Sequence, residues 1–253
     1  MKLFFRELGE GSPIVILHGV FGTSDNWFSI SKELSQGYHL YLLDLRNHGQ
    51  SPHSEEFNYK VMAEDLNLFL EEHSIVNPVI IGHSMGGKVA MRFASEYTNY
   101  SKLIIVDISP RYYRKHHESI LNGMNALDLI SLQNRQQADT ALAVYEPDLG
   151  VRQFILKNLY RDSTNHFAWR INLKVLIEKI ENVGEALDEN NKIEKPTLFI
   201  KGEKSNYIQE KDQDLIYKIF KNVSFHTILG AGHWLQAEKP QEFLACVNNF
   251  LKI

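Results

Sequence analysis

Short apolar runs separated by amphipathic helical patterns are the feature that most limits what this chain can become. "PIVILHG" (13–19), "HLYLLDL" (39–45), "PVIIGHS" (78–84), "KLIIVD" (102–107), "PTLFIKG" (196–202) and "VSFHTIL" (223–229) read as strands. Helical patterns fill most gaps: 25–37, 58–74, 86–97, 212–220 and 240–253. Strands that follow one another through helices run parallel, and strands apolar on both faces need cover on both. With "KLFFREL" (2–8) added, the expectation is an α/β fold: a mostly parallel sheet of about seven strands with helices on both faces. Its 253 residues suit one such domain. The rhythm breaks from Pro110 to about Asn190, where only helical patterns are visible. We therefore expect a core of 1–109 and 191–253, with a helical cap, 110–190, inserted after the strand ending at Asp107. Such an insert would lie over the carboxyl ends of the strands, where open α/β sheets bind ligands.

A formal net charge of -4 offers no basic footprint for nucleic acid. No apolar run approaches the roughly 20 residues of a membrane span. The N-terminus "MKLFFRELGEGSP" lacks a signal peptide's apolar region and cleavage site. Cys246, the single cysteine, sits in the amphipathic last helix and cannot form a disulfide within the chain. These features fit a cytoplasmic protein; its oligomeric state is not legible.

The sharpest chemical signal is "IIGHSMGGK" (80–88), in which Gly82-His83-Ser84-Met85-Gly86 forms G-x-S-x-G between a strand and a helix. A turn that tight needs glycine on both sides of the serine, and it pushes the hydroxyl outward above a helix N-terminus. The arrangement suits a nucleophile rather than a simple helix cap. In this order and spacing, "LHGVFG" (17–22), "DLRNHGQS" (44–51), "VDISP" (106–110) and "GAGHWLQAEKP" (230–240) complete a set. From about residue 2 to the C-terminus the chain resembles the α/β-hydrolases, most closely the small YbfF-like serine esterases.

That resemblance implies a cofactor-free and metal-free serine hydrolase acting on small-molecule acyl esters or thioesters. Ser84 would be the nucleophile and His233 the base. The oxyanion hole would be the backbone amides of Met85 and Val20, or Phe21 if the second donor lies one position on. Most α/β-hydrolases carry the acid as G-x-x-D after the strand that follows the cap. Here that strand runs into "GEKSNYI", so the expected position holds Ser205, while Glu203 comes too early in the turn. Asp107 ends the neighbouring strand, some members of the fold place their acid there, and we assign it as the third catalytic residue. Phe21, Trp27, Tyr112, Trp169 and Trp234 are the expected pocket residues, with Tyr113 and Phe167 nearby.

The remaining histidines read as structural. His18 should orient the oxyanion loop, His83 should point away from the nucleophile, and His48 should hydrogen-bond Asp44. His116 and His117 are consecutive in a helical pattern and should be solvated. Carbon–carbon bond hydrolases and menaquinone-pathway lyases of the same fold keep the serine, and a non-catalytic binding member would lack a triad residue; these are the alternatives. Ser84 argues against dehalogenases and epoxide hydrolases, which carry aspartate there. Finally, residues 111–180 hold ten Lys/Arg against seven Asp/Glu, concentrated partly in "RYYRKHH" (111–117). This raises the expectation that the cap assists an anionic leaving group such as a coenzyme A thioester, against the simpler reading of a solvated face.

Overall fold

The apolar runs pair as their spacing predicts. In the computed structural model, which describes residues 1–115 and 117–252, the strands in chain order are β1 (Phe5–Leu8), β2 (Ser12–Leu17), β3 (Tyr38–Leu43), β4 (Val79–His83), β5 (Lys102–Val106), β6 (Leu159–Arg161), β7 (Phe167–Trp169), β8 (Thr197–Gly202) and β9 (Val223–Ile228). The helices are α1 (Phe28–Leu34), α2 (Tyr59–Glu72), α3 (Met85–Glu96), α4 (Glu118–Ala126), α5 (Arg135–Leu142), α6 (Leu149–Leu156), α7 (Leu173–Lys179), α8 (Gln213–Ile219), α9 (Leu235–Glu238) and α10 (Pro240–Leu251). Seven strands form the main sheet in the order β1-β3-β2-β4-β5-β8-β9. Every pairing in it is parallel except β1 with β3, an antiparallel edge in which Phe5 faces Leu43.

Alternation along the strands divides the core in two. Val15, Leu17, Ile80, Leu103 and Ile105 meet Leu66 and Phe69 of α2 and Val89 and Phe93 of α3. Their neighbours Ile14, Ile16, Ile81, Ile104 and Val106 meet Ile30 and Leu34 of α1 and Phe243 and Val247 of α10. A sheet buried on both faces leaves its strand ends as the open edge, and the loops there carry His18, Ser84, Asp107 and His233. No helix among the described residues is long and apolar enough to cross a membrane.

Between β5 and β8 the chain leaves the sheet and forms α4 to α7. It also forms the antiparallel pair β6–β7, where only helices were expected. Two three-residue strands are too short to show a period. Their signal was the turn "DSTN": the Asp162 carboxylate accepts from the amides of Thr164 and His166, and Asn165 takes a φ of 64°. Lys88 of α3 fastens both ends of the insert, its Nζ donating to the carbonyls of Arg111 (2.5 Å) and Glu185 (2.8 Å). Burial drives the Lys88 pKa down to about 7. His116 lies outside the described residues.

Candidate active site

Ser84 stands between β4 and α3 with φ 51° and ψ −116°, a strained backbone for a residue with a side chain. The flanking glycines explain how the strain is tolerated. A Cβ on Gly82 would lie 2.3 Å from the Gly86 carbonyl oxygen, and one on Gly86 would lie 2.4 Å from that of Leu17. The Ser84 amide is tied to the Val106 carbonyl at 3.0 Å, so the neighbouring strand holds the turn.

Asp107 follows β5, also at positive φ (50°), and is completely buried. Its amide donates to the Ile200 carbonyl at 2.8 Å. Its carboxylate is filled from three sides: the Gly202 amide donates to Oδ1 at 3.2 Å, the Ser205 hydroxyl donates to Oδ2, and His233 Nδ1 lies 2.7 Å from Oδ2. Beside a carboxylate, which only accepts, Nδ1 serves as the donor, and Nε2 is left as the nitrogen open to take a proton. Ser205, in the loop after β8, thus donates to the carboxylate at the end of the neighbouring strand β5. Glu203 turns away from this cluster and accepts the Gly230 amide at 2.7 Å.

Three residues fix the histidine loop. Glu238 accepts the amides of Gly232 (2.7 Å) and Trp234 (3.2 Å), on either side of His233. His83 donates from Nε2 to the His233 carbonyl at 2.9 Å, and burial keeps its pKa well below 6.5, hence neutral. The Tyr207 ring stacks on the imidazole, centroids 3.9 Å apart and planes within 17°.

Of the oxyanion candidates, Met85 begins α3, while Val20 and Phe21 lie in a turn closed by the Gly22 amide on the Gly19 carbonyl at 2.9 Å, with Phe21 at φ 61°. His18 braces it as expected. Its Nδ1 donates to the Gly19 carbonyl (2.8 Å) and its Nε2 accepts the Leu45 amide (3.0 Å). Burial lowers its pKa to about 4. Among the described residues, no protein acceptor takes the amides of Val20, Phe21 or Met85. His48 departs from expectation: it bonds the Arg46 carbonyl at 2.9 Å, because Asp44 is already occupied by the amides of Ser24 and Gln50.

Ser84 and His233 share the wall of a cavity of about 710 Å3, together with Val20, Phe21, Trp27, Ile120, Phe154 and Trp234. A second crevice of about 20 Å3, which also reaches Ser84, includes Met85 and Tyr207 in its lining. Two expected pocket residues are corrected. Tyr112 is 55% exposed and lines neither space. Trp169 belongs to β7 and turns its indole N–H toward the Met124 carbonyl (3.4 Å), within the insert. The basic stretch divides between the two spaces. Arg111 pairs with Asp212 and lines neither, Lys115 pairs with Glu118, and Arg114 and Lys115 line the small crevice at Ser84 and not the large cavity, whose charged residues are Glu146, Asp148, Glu238 and Lys157.

A sequence model described as the alpha/beta hydrolase fold matches residues 12–240. The chain belongs to this family. It is 35% identical to Esterase YbfF of Escherichia coli over 96% of this chain and 94% of that protein. It is also 35% identical to the sn-1-specific diacylglycerol lipase ABHD11 of Mus musculus, over 94% of this chain and 80% of the relative. Among solved structures, one titled "Marine microorganism esterase" superposes with a TM-score of 0.96 at 39% identity, covering 98% of this chain and 99% of that one. For this α/β-hydrolase, the residues that sequence reasoning missed are those without a motif of their own. Tyr207, stacked on His233, and Asn158 of the insert, whose Nδ2 donates to the Phe21 carbonyl at 2.7 Å, both act on loops far from them in sequence.

Proposed function

We propose that this protein is a serine hydrolase that cleaves carboxylic acyl esters or thioesters, with Ser84, His233 and Asp107 as its triad and no cofactor. The observation that carries the reading is the 2.7 Å contact of His233 with buried Asp107, on the wall of the cavity that holds Ser84. In this reading His233 Nε2 takes the Ser84 proton as the hydroxyl oxygen attacks the acyl carbon. Asp107 fixes the tautomer and stabilises the imidazolium. The amides of Met85 and Val20, or Phe21, meet the oxyanion. His233 then protonates the leaving alcohol or thiol, and water repeats the sequence on the acyl-enzyme. Residues 110–190 act as a cap: Ile120, Val151, Phe154 and Ile155 give the acyl group an apolar wall.

The test is labelling with a fluorophosphonate probe, followed by rates on nitrophenyl esters of graded chain length. Labelling and turnover that vanish in Ser84→Ala support the reading. Turnover that survives that substitution rejects it.

A further inference from the structure

The insert does more than wall the cavity: it reaches the turn that carries the second oxyanion donor. Asn158 lies between α6 and β6 and is 1% exposed. Its Nδ2 donates to the Phe21 carbonyl at 2.7 Å and to the Ile155 carbonyl at 3.2 Å. Its backbone is pinned on both sides, the amide to the Ile155 carbonyl (3.0 Å) and the carbonyl by the Arg170 amide (2.9 Å). The Asn158 Oδ1 is buried and has no partner among the described residues. The buried side chain gives its amide hydrogens to two carbonyls, so it serves there as a donor.

The acceptor of that bond is well placed to matter. The Phe21 carbonyl and the Gly22 amide belong to one peptide plane, and the Gly22 amide closes the turn on Gly19. Phe21 itself sits at φ 61°, a conformation its side chain does not favour. The bond from Asn158 therefore holds the peptide plane that follows Val20 and Phe21, and so sets where their free amides point. The Phe21 ring also meets His117 of the insert edge-on, centroids 5.5 Å apart.

We propose that Asn158 is a positioning residue of the oxyanion hole, through which the insert sets transition-state stabilisation in the core. The proposal rests on the serine-hydrolase reading. A donor turned slightly off its target weakens the transition state more than the ground state, because charge appears on the acyl oxygen only as the reaction proceeds.

The experiment measures kcat and KM on a short nitrophenyl ester, and the inhibition constant of a trifluoromethyl ketone whose adduct carries the oxyanion. The proteins are the wild type, Asn158→Leu, Asn158→Asp and Asn158→Gln. Wild-type turnover lost in Ser84→Ala first verifies the underlying reading; its absence would sink that reading independently. We expect kcat to fall about ten- to a hundredfold in the Leu and Asp variants, with KM within about threefold, since a misplaced donor costs part of what a deleted one does. The ketone should weaken in parallel with kcat/KM, and Gln, which keeps an amide donor, should recover part of the loss. The Asp variant keeps the shape of Asn and serves if Leu impairs folding, which thermal melts would reveal. A kcat within twofold of wild type in Leu and Asp overturns the proposal. So does a kcat loss with undiminished ketone affinity, which would mark a purely structural role.

Discussion

Around Ser84, Asp107 and His233, the loops at the strand ends are held by buried and partly buried hydrogen bonds: Gly202 and Ser205 on Asp107, His83 on the His233 loop, His18 on the Gly19 turn. Across the cavity the insert presents apolar side chains from short helices, while most of its polar ties to the core, such as Asn172 on Asn47, Asn182 on Phe57, Tyr59 on Val183 and the Lys88 clamp, lie outside that cavity's lining. The difference teaches how the two regions can vary. Positions that set a proton or a developing charge are over-determined by several bonds, whereas a wall for an acyl chain needs only shape and apolar area.

Removing the proposed nucleophile is the harshest way to break this comparison. Ser84→Ala should lower kcat by about five to six powers of ten while the melting temperature holds or rises, since the loss of a triad member is catalytic and the strained turn is eased. Acid should separate the regions next, because His18 and His48 in the core loops are buried neutral, with pKa values of about 4 and about 3. Below the ordinary value of 6.5 the unfolded chain protonates first, so stability present at pH 7 is lost as pH falls toward 4. The loss should reach about 1.4 kcal/mol per pH unit per histidine. Hydrogen exchange at pH 7 and pH 5 would check it through faster opening of the core loops. A flat profile would mean that these rings are not neutral in the fold.

Smaller effects should sharpen the contrast. Ser205→Ala removes one of three donors from Asp107 and should cost kcat about tenfold, measured with the same nitrophenyl ester. Trp234 lies against Phe154 of the insert, ring centroids 5.6 Å apart. Trp234→Ala should lower kcat/KM several-fold more for long acyl chains than for acetate, as removal of apolar wall predicts. An equal loss across chain lengths would instead indicate damage to the His233 loop. Least of all, Arg111→Ala should change the ratio of acyl-CoA to nitrophenyl ester activity by less than about twofold at low salt, because Arg111 lines neither space at Ser84 and is paired with Asp212.

Much of the core was legible because its signals are local. Strand runs, the glycines around Ser84 and the "GAGHW" loop each announce themselves within ten residues. Asp107 drew attention because Ser205 occupies the position where most α/β-hydrolases carry the acid and because the family resemblance agrees; its 2.7 Å contact with His233 is a tertiary fact. The insert was not, because Trp169 and Tyr112 are aromatic in sequence like any wall residue, and only tertiary packing turns one toward Met124 and leaves the other in solvent. Contacts such as Tyr207 on His233, or Asn158 on Phe21, join positions 26 and 137 residues apart and leave no pattern along the chain.

The central claim is that the acid of this site stands at the end of β5 and not in the loop after β8. Measuring kcat for Asp107→Asn beside Glu203→Gln tests it most directly, with melting temperatures recorded for both. The account predicts a loss of about three to four powers of ten for Asp107→Asn, as when a catalytic imidazole takes the wrong tautomer, and less than about tenfold for Glu203→Gln. A crippled Glu203→Gln beside a nearly silent Asp107→Asn would contradict it.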